Sequence, residues 1–203
     1  MDKKMLEQEL LEIQEHLRSN GEYSKAKTLE HVEKYIKASP DFLRLKKTTN
    51  PDTGRTLELV DKRECVAVLV TNCYLNKILL VRQFRAGCIN HIHEVVAGVV
   101  EEDQDPLDAV FAELRQEVGI QKKDIDVLAN VGSYYSSVGW TNEIAHLYFI
   151  QLKKDFTQLE QELDEEECLS YAWIDAHKFD SLYKGGPVPI KTAMLYEYFK
   201  SIK

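Results

Sequence analysis

Two glutamates four residues apart, Glu113 and Glu117, stand in the stretch "GVVEEDQDPLDAVFAELRQEVGI" that runs from residue 98 to residue 120. On a helix that spacing stacks two side chains one turn apart on the same side. Two carboxylates so placed repel each other unless something positive lies between them. The pair therefore reads either as a solvated acidic face or, if it lines a pocket, as a seat for a hard divalent cation such as Mg²⁺, which takes oxygen ligands. The helix itself is legible. Asp105 can cap it, Pro106 suits its first turn, Leu107, Val110, Leu114 and Val118 form an apolar face, and Gly119 closes it.

The surrounding elements must hold that helix in place. Leu6, Leu10, Ile13 and Leu17 follow a helical period that "SNG" stops, and Tyr23, Ala26, Leu29, Val32 and Ile36 follow a second one that ends at "ASPD". Residues 1–39 thus read as a helical hairpin. After Pro40 the period becomes two: "DFLRLKK" and "RTLELVDK" flank the turn "NPDTG", so 40–62 is expected to be a small antiparallel strand region. The main domain, 63–203, carries compact apolar strands at "CVAVLVT", "KILLVRQF", "HIHEVVAG", "VLANVGSYYSS", "IAHLYFIQL" and "LSYAWID". It closes with an amphipathic helix at "IKTAMLYEYFKSI". That order predicts an α/β (α+β) fold, a mixed β-sheet between helices.

Composition limits what such a chain can do. Its 203 residues fit one domain with a small appendage, and 44% hydrophobic content supplies a core. A net charge of −8 argues against a large surface that tracks nucleic-acid phosphates. No apolar run approaches the ~18–20 residues of a membrane span, and "MDKKMLEQELLEIQEHLRSNG" is too charged for a secretory signal, so a cytoplasmic protein is expected. Cys65, Cys73, Cys88 and Cys168 form no C-x-x-C pair and are expected to be reduced thiols packed as small apolar groups. "CINHIH" brings His91 and His93 near Cys88, but the two histidines alternate across a strand and a further metal ligand is missing.

A strand and glycine loop, "VVAGVVEEDQDP", lead into the acidic helix, and this arrangement resembles the Nudix hydrolases. Their box reads G-x5-E-x7-R-E-U-x-E-E-x-G-U, with U a bulky aliphatic residue. Gly98, Glu113, Leu114, Glu117, Gly119 and Ile120 match it, while Gln104, Ala112 and Gln116 replace Glu, Arg and Glu. The flanks resemble the ADP-sugar pyrophosphatase branch: "LLVRQFR", "HEVVAG" for E-L-P-A-G, "YSSVGWTNE" for S-P-G-x-x-x-E with Val138 in place of proline, "DEEECLSYAWID" and "GGPVPIKTAML". The likeness covers roughly 41–199.

The resemblance implies a Nudix sandwich that cuts a nucleoside diphosphate sugar such as ADP-ribose with water and Mg²⁺ or Mn²⁺. It implies metal ligands at the Ala97 carbonyl, Glu113 and Glu117, anion recognition by Arg82 and Arg85, and a substrate role for Glu94. Glu143 and the acidic run 165–167 offer a third carboxylate or general base, with Glu167 chosen for the base. Arg82 and Arg85 fall on opposite faces of a strand, so one of them is better placed to reach the site. Trp140, Tyr134 or Tyr135 could stack on a base or belong to the core. A homodimer through the 40–62 hairpin follows from the resemblance as well. The three departures split the expected function in two. One reading is a metal-dependent hydrolase of reduced or altered activity. The other is an impaired member that binds a nucleotide sugar, or a protein partner, in a regulatory role.

Overall fold

The computed structural model describes residues 12, 15, 16, 19, 44–163, 168–182 and 186–203. Glu12, Glu15, His16 and Ser19 are helical, and the rest of the expected 1–39 hairpin lies outside the described residues. The chain divides into two compact units, Met1–Asp61 and Lys62–Lys203.

In the first unit, β1 (Arg44–Thr49) and β2 (Thr56–Asp61) pair antiparallel with Arg44 opposite Asp61 and Thr49 opposite Thr56. The turn between them is fixed locally. Asn50 Oδ1 accepts from the amides of Asp52 and Thr53, and Gly54 takes a positive φ of 67°.

The second unit is a mixed sheet between helices. Its strands are β3 (Cys65–Thr71), β4 (Lys77–Arg85), β5 (Asn90–Glu94), β6 (Val96–Val99), β7 (Ile125–Tyr135), β8 (Ile144–Leu152) and β9 (Leu169–Asp175), with helices α1 (Pro106–Val118), α2 (Phe179–Leu182) and α3 (Ile190–Ile202). β3, buried at all seven positions, is the central strand: it runs parallel to β8 and antiparallel to β4 and β6. A strand covered on both faces needs the unbroken apolar run that "CVAVLVT" supplies.

Alternation along β3 sorts its side chains into two cores. Val66, Val68 and Val70 pack with Leu79, Val81, Val96 and the α1 residues Ala109, Val110, Leu114 and Val118. Ala67 and Leu69 pack on the other face with Ile78, Leu80, Val95 and the α3 residues Leu195, Tyr196 and Phe199. Leu114, fully buried, contributes about 1.5–3 kcal/mol by leaving water.

The segment 91–98 is two strands and not one. β4 stays with β3 for only two pairs, Val70–Leu79 and Thr71–Ile78, and then diverges. β5 pairs with β4 and β6 with β3, so the chain crosses the opening at Val95. There the Val95 amide donates to Thr192 Oγ1 of α3 at 3.1 Å, a buried bond that takes the place of a ladder partner. The short turn of helix Phe179–Leu182 was not anticipated by the sequence pattern. Nor does the expectation of packed thiols hold throughout: Cys65 is buried, but Cys88 and Cys168 are exposed.

Candidate functional site

The α1 helix starts and stops by local chemistry. Asp105 Oδ1 accepts the Leu107 amide at 2.8 Å, Pro106 opens the first turn, and Gly119 takes the left-handed conformation with φ 64°. This fixes which residues face the sheet. Gly98, two residues beyond Val96 on β6, looks towards α1, and Glu113 lies directly on it. A Cβ built on Gly98 would overlap the Glu113 carboxylate and approach its Cγ to 2.6 Å. Only a residue with no side chain lets the helix carboxylate rest on the strand.

Glu117, one turn on, is only 4% exposed. It lies in the last turn of α1, the negative end of the helix dipole. Taking an ionised carboxylate out of water is costly without compensation. Among the described residues no three His, Cys, Asp or Glu side chains converge. Gly98 is what lets the Glu113 carboxylate rest on the strand, and carboxylate oxygens such as those of Glu113 and Glu117 are the donor type that a hard divalent cation takes.

One segment, unforeseen in the sequence, holds the carboxyl end of α1. The amides of Glu162 and Leu159 donate to the carbonyls of Gln116 and Gly119, both at 2.9 Å. The side-chain amides of Gln161 and Gln158 donate to the carbonyls of Glu117 at 2.5 Å and Val118 at 2.8 Å. Trp173 Nε1 fixes Gln158 in turn, at 3.0 Å from its Oε1. Four consecutive carbonyls that a helix end leaves without intrahelical partners are thus satisfied. Residues 158–162 hold Glu117 in register through its own backbone.

Arg85 and Glu94 form a pair, Nε to Oε1 at 2.6 Å, with the Glu94 side chain 7% and that of Arg85 42% exposed. Glu94 stands opposite Val81 in the β4–β5 register and so shares the α1 face with Gly98. Arg82 stands opposite His93, on the face of Leu80. His93 is held below the usual histidine range by its burial and by the Arg82 charge. Of the two arginines, Arg85 is the one on the side of Glu113. Removing its guanidinium strands a buried carboxylate. Arg85→Ala is expected to lower stability by about 1.5–3 kcal/mol, the range for hydrogen bonds to charged groups, as read by urea unfolding.

Glu143 lies on the other face. It is buried and ion-paired with Lys62, its amide donates to Thr141 Oγ1 at 3.2 Å, and Lys191, 3.4 Å from Cys65 Sγ, adds positive charge. Burial pushes the Glu143 carboxyl up, but Lys62 and Ser136 beside it and the charges of Lys191 and Lys62 outweigh that and hold it below the usual range. A folded-state pKa below the unfolded one gives stability that is present above about pH 4.3 and lost as pH falls through the folded value. Glu143→Gln should therefore be less stable than wild type at neutral pH and show a flatter acid limb, measured by urea unfolding from pH 7 to pH 3. The pair ties Lys62 to the loop 136–143, from which Val138 and Trp140 project at 75% and 54% exposure. Tyr134 and Tyr135 are also exposed and belong to no core. Glu167 lies outside the described residues.

The NUDIX domain model matches residues 61–194. The chain belongs to the Nudix family. An ADP-ribose pyrophosphatase of Bacillus subtilis is 34% identical over 146 residues, which span 70% of this chain and 75% of that protein. A methanol dehydrogenase activator of Bacillus methanolicus is 34% identical over 113 residues, 54% of this chain and 57% of the relative. An ADP-ribose pyrophosphatase of Haemophilus influenzae is 32% identical over 101 residues, 46% of this chain and 45% of the relative.

The three departures from the Nudix box take up other tasks or none. Gln104 Oε1 accepts the Glu101 amide at 2.9 Å and closes the loop before α1 on itself. Glu101, beside that loop, is ion-paired with Arg63. Ala112 leaves no side chain to reach back to the loop. Gln116 is tied down through its backbone, whose carbonyl accepts the Glu162 amide at 2.9 Å, while its neighbour Arg115, on the exposed side of α1, pairs with Glu162 at 3.5 Å.

Proposed function

We propose that the protein hydrolyses the pyrophosphate bond of ADP-ribose or a related nucleoside diphosphate sugar, at a lower rate than an intact Nudix box supports. The observation that carries this reading is the Glu113 carboxylate seated on Gly98 with Glu117 buried one turn away. The names of two relatives, ADP-ribose pyrophosphatases, supply the substrate class. The Ala97 carbonyl, Glu113 and Glu117 would hold Mg²⁺ or Mn²⁺, which when bound neutralises pyrophosphate oxygens and lowers the pKa of the attacking water.

The chain's own residues do the rest. Glu94 fixes the Arg85 guanidinium through Nε and leaves its terminal N–H groups to fork onto a phosphate. Residues 158–162 keep Glu117 from shifting with the helix end. Glu167 is assigned as the base that takes the proton of water. Glu143, held as an anion by Lys62, shapes the loop 136–143. A homodimer through β1 and β2 belongs to the same reading, since a lone two-stranded hairpin with Leu45 exposed is marginal by itself.

A regulatory protein that binds the nucleotide sugar without fast turnover is the second reading. It is favoured by the likeness to a methanol dehydrogenase activator and by Gln104, whose side chain is turned into its own loop. AMP release from ADP-ribose, with Mg²⁺ and then Mn²⁺ and with GDP-mannose and UDP-glucose in parallel, separates the two. Metal-dependent AMP release is expected. Saturable binding with no release from any substrate would favour the regulator.

A further inference from the structure

Ser133, His146 and Glu64 form a continuous hydrogen-bonded chain outside the Nudix box. Ser133 Oγ lies 2.8 Å from His146 Nδ1, and His146 Nε2 lies 2.7 Å from Glu64 Oε2. A carboxylate only accepts, so Nε2 carries the proton of the neutral ring and Nδ1 is left to accept the serine hydroxyl. This is the electronic arrangement of a nucleophile, its base and the group that orients the base. The two ring nitrogens exchange the positions they hold in serine proteases.

The backbone is shaped for it. The β7–β8 register slips between Asn130 and Gly132, immediately before Ser133 pairs with His146. Gly132 takes φ 133°, and its amide donates to Asn130 Oδ1 at 2.9 Å. A Cβ at Gly132 would meet Tyr134 Oη at 2.8 Å. Bulges re-aim the side chains that follow them, and this one turns Ser133 onto His146. The ring is 16% exposed and the Glu64 side chain 49%, while Ser133 is open to solvent. The base is therefore shielded and the hydroxyl accessible. Gly98, Val66 and His146 stand side by side on β6, β3 and β8. Two strand spacings, about 10 Å, separate His146 from the glycine under Glu113.

We propose that Ser133 is an acyl-accepting nucleophile, with His146 as general base and Glu64 as the positioning carboxylate, and that it reacts with activated esters or thioesters. Ser133 Oγ bonds to the acyl carbon as its proton passes to His146 Nδ1. The carbon–leaving-group bond then breaks, and the leaving group departs with the electron pair and takes that proton. Water releases the acid by the same two transfers, and the serine is restored.

The test is acetylation of the full-length protein by p-nitrophenyl acetate, followed as p-nitrophenol release and by peptide mass mapping, with melting temperatures recorded for each variant. An acetyl adduct on the Ser133 peptide is expected, lost in Ser133→Ala. His146→Gln should slow labelling by about 10²-fold or more, the lower range for general base catalysis. Glu64→Gln should slow it less, and this surface carboxylate answers the question even if His146→Gln fails to fold. Glu117→Gln should label like wild type, which keeps this result separate from the nucleotide-sugar activity. Label confined to Cys88 or to lysines, or Ser133 labelling that is unchanged in both His146→Gln and Glu64→Gln, would overturn the proposal.

Discussion

Gly98→Ala is expected to lower turnover of the nucleotide sugar by about 10²-fold or more, because an ångström of displacement at a reacting group costs about that much. The added methyl falls on the Glu113 carboxylate, so either the side chain swings away or α1 lifts from β6. Val66 and Leu114, both fully buried, resist the second movement. The loss should therefore fall mainly on Glu113 and on cation binding, with a smaller stability cost, because the clash is with a flexible side chain and not with backbone. Mn²⁺ binding followed by electron paramagnetic resonance reads the first effect and urea unfolding the second. Glu113→Ala removes the clashing carboxylate, so the stability costs of Gly98→Ala and Glu113→Ala should couple and not add. Unchanged turnover in Gly98→Ala would show that Glu113 does not need this seat.

What could be read from the sequence was set by local chemistry. β3, β8, β9 and α3 occur where "CVAVLVT", "IAHLYFIQL", "LSYAWID" and "IKTAMLYEYFKSI" place them, because the apolar run, the alternation or the helical period is complete within each segment. α1 was legible to its ends, since Asp105, Pro106 and Gly119 act within one turn of the residues they cap. The break at Val95 was not, because its amide is satisfied by Thr192, 97 residues away. The same holds at the site. Glu113 and Glu117 announce themselves by spacing, but nothing in "TQLEQEL" reveals that Gln158 and Gln161 reach the carbonyls of α1. Alternation alone puts Arg82 and Arg85 on opposite faces, but which of them faces α1, like the meeting of Ser133 with His146, depends on how the strands pair, a property of the assembled sheet.

Glu117→Gln tests whether the degenerate box works as a site, and its expected effect is loss of turnover by about 10³-fold or more. A residue that only supports a metal ligand is usually worth ~10–100-fold, and one that would be a ligand itself is worth more. The substitution keeps the volume of a 4%-exposed side chain, so the fold around Gln161 and Gln158 has no reason to shift. What changes is charge. An amide oxygen still accepts a hydrogen bond, but the site keeps one carboxylate of two and its field on a cation weakens accordingly. Gln116→Glu is the informative counterpart. It restores the family's carboxylate next to Glu117 and should raise turnover by up to about 10–100-fold at saturating Mg²⁺. Because it adds an anion to an already negative helix end, it should also lower stability in metal-free buffer. Steady-state kinetics with varied Mg²⁺, and melting temperatures with and without it, read both. A gain in Gln116→Glu with a loss in Glu117→Gln would mark a weakened hydrolase whose missing charge limits it. Identical rates in wild type, Glu117→Gln and Gln116→Glu would remove the helix from the chemistry and leave the ligand-binding regulator as the reading.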